Sequence, residues 1–217
     1  MRKLLVVVTA LAAAACGGGG MATSNPAKGT IGGVAFSPVD VAALSLGPKA
    51  CNLGAFGNIN AAGVAIQFAS TANVCADLIS ATCVAHANSQ GVTVFISDAV
   101  FSGDAAITNG TYTVVENPGT AATATGFKAA FAEAHNLGAS CSPVSTSTQA
   151  TGTVTLTEAG PTRFSGSVSI TFTDGSKLQG DFSAAACSGS TVDICAIAIA
   201  AITNGTTSLC TGSVSCQ

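Results

Sequence analysis

Charge is scarce in this chain. Only 8% of its 217 residues are Asp, Glu, Lys or Arg, and the seven cations form no run or stripe that could neutralise a row of phosphates. That argues against nucleic acid as a partner. Tryptophan is absent and Tyr112 is the single tyrosine, so a sugar-binding face built on aromatic platforms lacks its material. Two histidines, His86 and His135, provide no His-Glu-x-x-His zinc motif. The closest approach to a Gly-x-Ser-x-Gly nucleophile elbow, Gly138 to Ser142, lacks the second glycine. The glycines Gly17 to Gly20 are not followed by Gly-Lys-Ser/Thr and form no phosphate loop. Low charge here does not mean disorder, because 48% of the residues are hydrophobic.

What is present begins at the first residue. Arg2 and Lys3 precede an apolar run, Leu4 to Ala15, interrupted only by Thr9. Its 12 residues are too few to span a bilayer, which takes about 20. Cations, a short apolar stretch and small residues are the parts of a secretory signal. Ala13-Ala14-Ala15-Cys16 resembles the lipobox of bacterial lipoproteins, with Ala13 where that family usually carries Leu. The resemblance implies cleavage before Cys16 and a diacylglycerol on its thiol. Two or more acyl chains hold a protein stably at a membrane without a spanning helix. Gly17 rather than Asp after the cysteine implies, by the family's sorting habit, the outer membrane. The alternative is an ordinary secretory signal, since Ala13-x-Ala15 also suits the general signal peptidase.

The expected organisation is therefore a signal peptide over 1–15, a lipidated cysteine and flexible tether over 16–29, a β domain over 30–187, and a disulfide-rich C-terminal segment over 188–217 packed on it. The layout resembles envelope lipoproteins built as signal, lipidated cysteine, Gly-rich tether and one β domain. Beyond Cys16 stand eight cysteines: Cys51, Cys75, Cys83, Cys141, Cys187, Cys195, Cys210 and Cys216. An even count in an exported chain predicts disulfides, with the connectivity left open.

Period-two alternation predicts an all-β fold. Val34 and Phe36, Val39–Leu46, Val64 with Ile66 and Phe68, and Val92 with Val94 and Ile96 read as strands. Between them, Ala72–Ser80 lacks alternation and reads as a short helix capped by Thr71. Asn109-Gly110 predicts a hairpin over Ala105–Val115. Thr123–His135 has helical composition but alternates, and reads as strand beside its neighbours. Gly138–Gln149 reads as a Ser/Thr-rich loop around Cys141. The clearest signal is Thr151–Ser183, a three-stranded antiparallel meander. Phe164, Val168, Ile170 and Phe172 share one face, and Ser165, Ser167, Ser169 and Thr171 the other. Gly166 and Gly180 fall on its apolar face, where a sheet can curl. Val192–Ile202 reads as a short buried helix or strand. The hexapeptide Ala-Ile-Thr-Asn-Gly-Thr at 106–111 recurs at 201–206 and reads as one turn used twice. The expected architecture is a single antiparallel β-barrel or β-sandwich of about eight strands with one or two short helices, stapled by disulfides.

Chemistry-bearing candidates are few. Cys75, Cys83 and His86 have a spacing that could bend into a metal site, but exported thiols oxidise, so a disulfide is the simpler reading. Glu133 and His135 share a face if their segment is a strand, and with His86 could make an acid/base or metal pair. Asp98 and Asp104 could contribute to a calcium loop, although turn residues explain them equally well. Phe56 and Phe101 could mark a partner surface. The functional expectation is a non-enzymatic binding or structural module of the bacterial envelope, without cofactor or metal. Its membrane contact runs through Cys16, and a protein partner or small apolar ligand is possible. The alternative is a lipocalin-like carrier whose barrel holds a small apolar ligand.

Overall fold

The computed structural model describes residues 25–52, 57–80, 83–116, 123, 125–189, 192–197 and 214–217. The alternating segments do close into a barrel. In chain order they are β1 (Lys28–Ile31), β2 (Val34–Phe36), β3 (Asp40–Asn52), β4 (Asn58–Ala69), β5 (Cys83–Ala85), β6 (Gln90–Val100), β7 (Gly110–Val114), β8 (Gly126–Leu137), β9 (Pro143–Ser147), β10 (Ala150–Ala159), β11 (Arg163–Phe172), β12 (Lys177–Cys187) and β13 (Val214–Cys216). The helix α1 (Val74–Ile79) lies between β4 and β5. A second helical turn occupies 194–197.

The ring runs β3–β4–β6–β8–β7–β10–β11–β12 and returns to β3. Neighbours are antiparallel except at two seams. Val114 meets Ala130 in parallel between β7 and β8, and Ala185–Cys187 meets Ala42–Leu44 in parallel between β12 and β3. Both seams are short and are completed by flanking strands. β1 takes Lys177–Gln179 of β12, and β9 takes the last residues of β8. Lys28 and Gly29, in the stretch read as tether, thus belong to the first strand. Likewise the Ser/Thr-rich stretch 143–147, read as loop, is the strand β9.

Eight strands leave an interior that side chains fill. Register places Val64, Ile96 and Ala130 in one inward row, Ile66, Val94 and Ala132 in the next, and Phe68, Val92 and Ala134 in a third. Alanines on β8 leave room for the large residues opposite. On the far wall Val154 faces Val168, and Ile170 faces Leu178. All of these join one buried cluster, across which Phe68 and Phe182 meet edge to face at 5.6 Å. Gly166 permits a bulge: the β10 register skips between Leu156 and Glu158 opposite it, and a methyl at Gly166 would lie 1.8 Å from the Thr155 carbonyl oxygen. Ile31 and Phe36, from the β1–β2 hairpin, are fully buried in the same cluster at one end.

At the other end the expected Asn109-Gly110 hairpin does not form. Only Gly110–Val114 is a strand, and its antiparallel partner is β10. The preceding residues instead turn inward: Ala105 is buried and Ile107 packs on the interior cluster. The Tyr112 hydroxyl closes this loop, donating to the Thr108 carbonyl at 2.8 Å and accepting from the Thr108 N–H at 3.0 Å. The Asn109 amide donates to the Thr157 carbonyl at 2.9 Å, which spends the turn residue on β10.

The outside of the barrel has two characters. Thr111, Thr113, Thr153, Thr157, Ser169 and Thr171 of β7, β10 and β11 stand in solvent. Over the middle of β3, β4, β6 and β8 the outer face is apolar: Leu44, Ala65, Phe95 and Phe131 form one row across four strands. Ile194 and Ile197 of the C-terminal helical turn bury themselves there. Gly63 makes the space, because a methyl on it would sit 2.8 Å from Ile194 Cδ1. α1 covers Ala42 and Ala69 through Val74. Its N-cap is Asn73 rather than Thr71, and the Val74 N–H is satisfied by the Asp40 carboxylate at 3.0 Å. Three disulfides fasten these outer pieces: Cys51–Cys195, Cys75–Cys187 and Cys141–Cys216. Cys16, Cys210, the Cys83 side chain, Phe56 and the second hexapeptide lie outside the described residues.

Candidate functional site

The strand geometry of β8 points Glu133 and His135 outward, beyond the apolar rows. Glu133 lines up with Thr93 of β6 and Gln67 of β4, and His135 with Gly91 and Ala69. The Thr93 hydroxyl donates to the Gln67 side-chain carbonyl. Gly91 is the floor under His135: a methyl there would come within 2.7 Å of His135 Nε2 and 2.8 Å of Gln67 Nε2. The absence of a side chain therefore lets the imidazole lie down on the sheet. Both titratable groups are half-buried. Burial raises the Glu133 pKa above the ordinary carboxylate value and lowers that of His135. Each is thus biased towards its neutral form by desolvation. The pair could exchange a proton with a bound molecule. Among the described residues no third catalytic group joins them.

His86 is engaged elsewhere. Its Nε2 lies 2.8 Å from an Asp77 carboxylate oxygen of α1. Cys75 is disulfide-bonded to Cys187, which removes it from any metal site with Cys83 and His86. Asp98 accepts from the Ala106 N–H at 3.4 Å, holding the mouth loop, while Asp104 is exposed in that loop. No group of three or more His, Cys, Asp or Glu among the described residues could hold a metal ion. Phe101 is half exposed.

Two features escaped the sequence reading. Lys128, opposite Asp98 in register, sits 4.9 Å over the Tyr112 ring and donates to the Thr108 hydroxyl at 3.2 Å. Nothing in the sequence pairs a lysine of β8 with the tyrosine of β7. The second is a groove of about 400 Å³ beside the Cys51–Cys195 bridge, lined by Leu46, Pro48, Val192 and Ile194 and spanned by the Lys49–Asp193 ion pair at 3.0 Å. Gly47 and Pro48 fall where the β3–β4 register slips between Leu46 and Lys49, which opens it.

Compared with known proteins, the chain matches no family model, no curated protein and no solved structure.

Proposed function

We propose that the chain is exported, lipidated at Cys16, and held at the outer membrane as a non-enzymatic binding or structural module of the bacterial cell envelope. The observation that carries this reading is the export-type N terminus ending at Cys16, followed by cysteines that pair across the fold. Three disulfides joining distant parts of the chain suit an oxidising compartment. The barrel supports a structural rather than a carrier role: inward side chains from all eight ring strands meet in one buried cluster. The half-buried Glu133 and His135 lack the described partners that a catalytic set requires. A carrier would instead show a small apolar molecule retained in native mass spectrometry.

Fractionation of cells tests the anchor. The native protein should partition with membranes and into detergent, and the Cys16→Ser variant should be released to the soluble fraction. Equal membrane partitioning of both would overturn the reading.

A further inference from the structure

Four large apolar side chains stand exposed among the described residues: Val34 at 51%, Val39 at 69%, Val144 at 70% and Phe101 at 47%. Isolated ones need no explanation. Three of these are grouped. Val39 donates its N–H to Ala69, the last residue of β4. Gly91 near the start of β6 pairs with Ala69, and His135 near the end of β8 pairs with Gly91, so that end of the barrel also carries β9 and Val144. Val34 opens β2 there, just after Gly32, where a methyl would be 2.5 Å from the Ser145 hydroxyl next to Val144. Phe101 follows the last residue of β6 and is at the opposite end.

Charge is grouped in the same place. Lys49 pairs with Asp193, Arg163 with Glu158, and Lys128 lies on Tyr112. The two remaining cations of the described residues, Lys28 and Lys177, face no carboxylate in any described ion pair. They are diagonal neighbours on β1 and β12, beside the β1–β2 hairpin, and both are exposed. Three acids share this end and keep their charge: Asp174 accepts from the Ser176 N–H and hydroxyl, Asp40 accepts from the Val74 N–H, and Asp181 follows Gln179, the partner of Lys28, by two residues on β12. The chain reaches Lys28 directly from Asn25, whose carbonyl accepts the Asp181 N–H at 2.6 Å. Eight residues lie between Cys16 and Asn25, and the nine Cα steps across them can span at most about 30 Å.

We propose that this end of the barrel is a membrane-contact face. Val34, Val39 and Val144 dip into the headgroup layer of an anionic bilayer, and Lys28 and Lys177 meet its phosphates. The proposal rests on the lipid-anchor reading of Cys16. Each lysine near an anionic surface strengthens the contact about fivefold.

The chain has no tryptophan, so Val34→Trp and Phe101→Trp each install a single indole reporter, one at each end of the barrel. The full-length variants, taken from bacterial membranes, are reconstituted in phosphatidylethanolamine–phosphatidylglycerol vesicles carrying brominated acyl chains. Intact mass and flotation are read first. The proposal holds if the protein carries acyl chains and floats, and if emission from the Val34→Trp variant shifts to the blue and is quenched while that from Phe101→Trp is not. Floating protein with the Val34→Trp reporter unquenched overturns the contact face and leaves the anchor. Protein without acyl mass that fails to float overturns both. Adding Lys28→Gln and Lys177→Gln to the Val34→Trp variant should reduce its quenching, and unchanged quenching removes the lysines from the contact.

Discussion

The Cys51–Cys195 disulfide should hold the C-terminal helical turn on the outer layer of the barrel. Taken alone, it closes a loop of 144 residues, and loop-closure entropy assigns that about 5 kcal/mol. The Cys75–Cys187 bridge shortens it. With Cys75–Cys187 intact, the route from Cys51 to Cys195 runs through the residues from Cys51 to Cys75 and from Cys187 to Cys195, a detour of roughly 30 residues. The expected contribution falls to about 4 kcal/mol. The Cys51→Ala, Cys195→Ala double variant should therefore lose about 2 to 4 kcal/mol, because such bridges often deliver less than the entropy alone. For a domain of this size that is roughly 4–16 °C in Tm. Equilibrium urea unfolding under non-reducing conditions, followed by far-UV circular dichroism, measures it. Ile194 and Ile197 would also come loose from Leu44, Phe95 and Phe131, so dye binding to apolar surface should rise before global unfolding. A loss under about 1 kcal/mol, with no added dye binding, would refute the view that this bridge holds the cover in place.

Other expectations follow from single groups. Tyr112→Phe removes two hydrogen bonds to Thr108 but keeps the ring under Lys128, and should cost about 1–3 kcal/mol, read from the urea midpoint. Gly166→Ala drives a methyl into the Thr155 carbonyl and should cost about 1–3 kcal/mol, whereas Gly47→Ala, with open space around it, should be close to neutral by the same measurement. Stability should also depend on pH through β8. His135 has a lowered folded pKa, so the stability it confers is present above its ordinary value of 6.5 and is lost as pH falls below that towards the folded pKa. Glu133 has a raised folded pKa, so its protonated form favours folding, and that stability is lost as pH rises through the folded pKa. Glu133→Gln should thus be more stable than the native chain at pH 7, and His135→Gln should flatten the decline below pH 6.5; thermal unfolding across pH checks both signs.

Sequence alternation is legible where one side of the sheet meets water. In β10, β11 and β12 outward Ser, Thr or Gln residues alternate with inward apolar ones, and the pattern assigns the meander its correct faces. It is obscure in β8 because both sides are apolar. Ala130, Ala132 and Ala134 face the interior, while Phe127, Ala129 and Phe131 face the outer cover. The period-two signal vanishes when a second layer covers the outside, and helix-like composition fills its place. The parallel seam at Ala185–Cys187 is illegible because it joins segments far apart in the chain, and the one at Val114 because a single residue pair carries it. The Asn109-Gly110 signal misleads because Ile107 gains more by closing the barrel mouth than by pairing across a turn. At the candidate site, the shared face of Glu133 and His135 follows from the strand period. Their burial does not, because it depends on the glycine floor at Gly91 and on neighbours from β4 and β6.

On the proposed reading, the state of Cys16 decides between an anchored protein and a freely secreted one. Intact-mass analysis of the protein extracted from bacterial membranes tests it most directly. A chain beginning at Cys16 and carrying the added mass of a diacylglycerol, with or without a further acyl chain, is the predicted result. A chain that begins at Cys16 unmodified, or that retains residues 1–15, would contradict it.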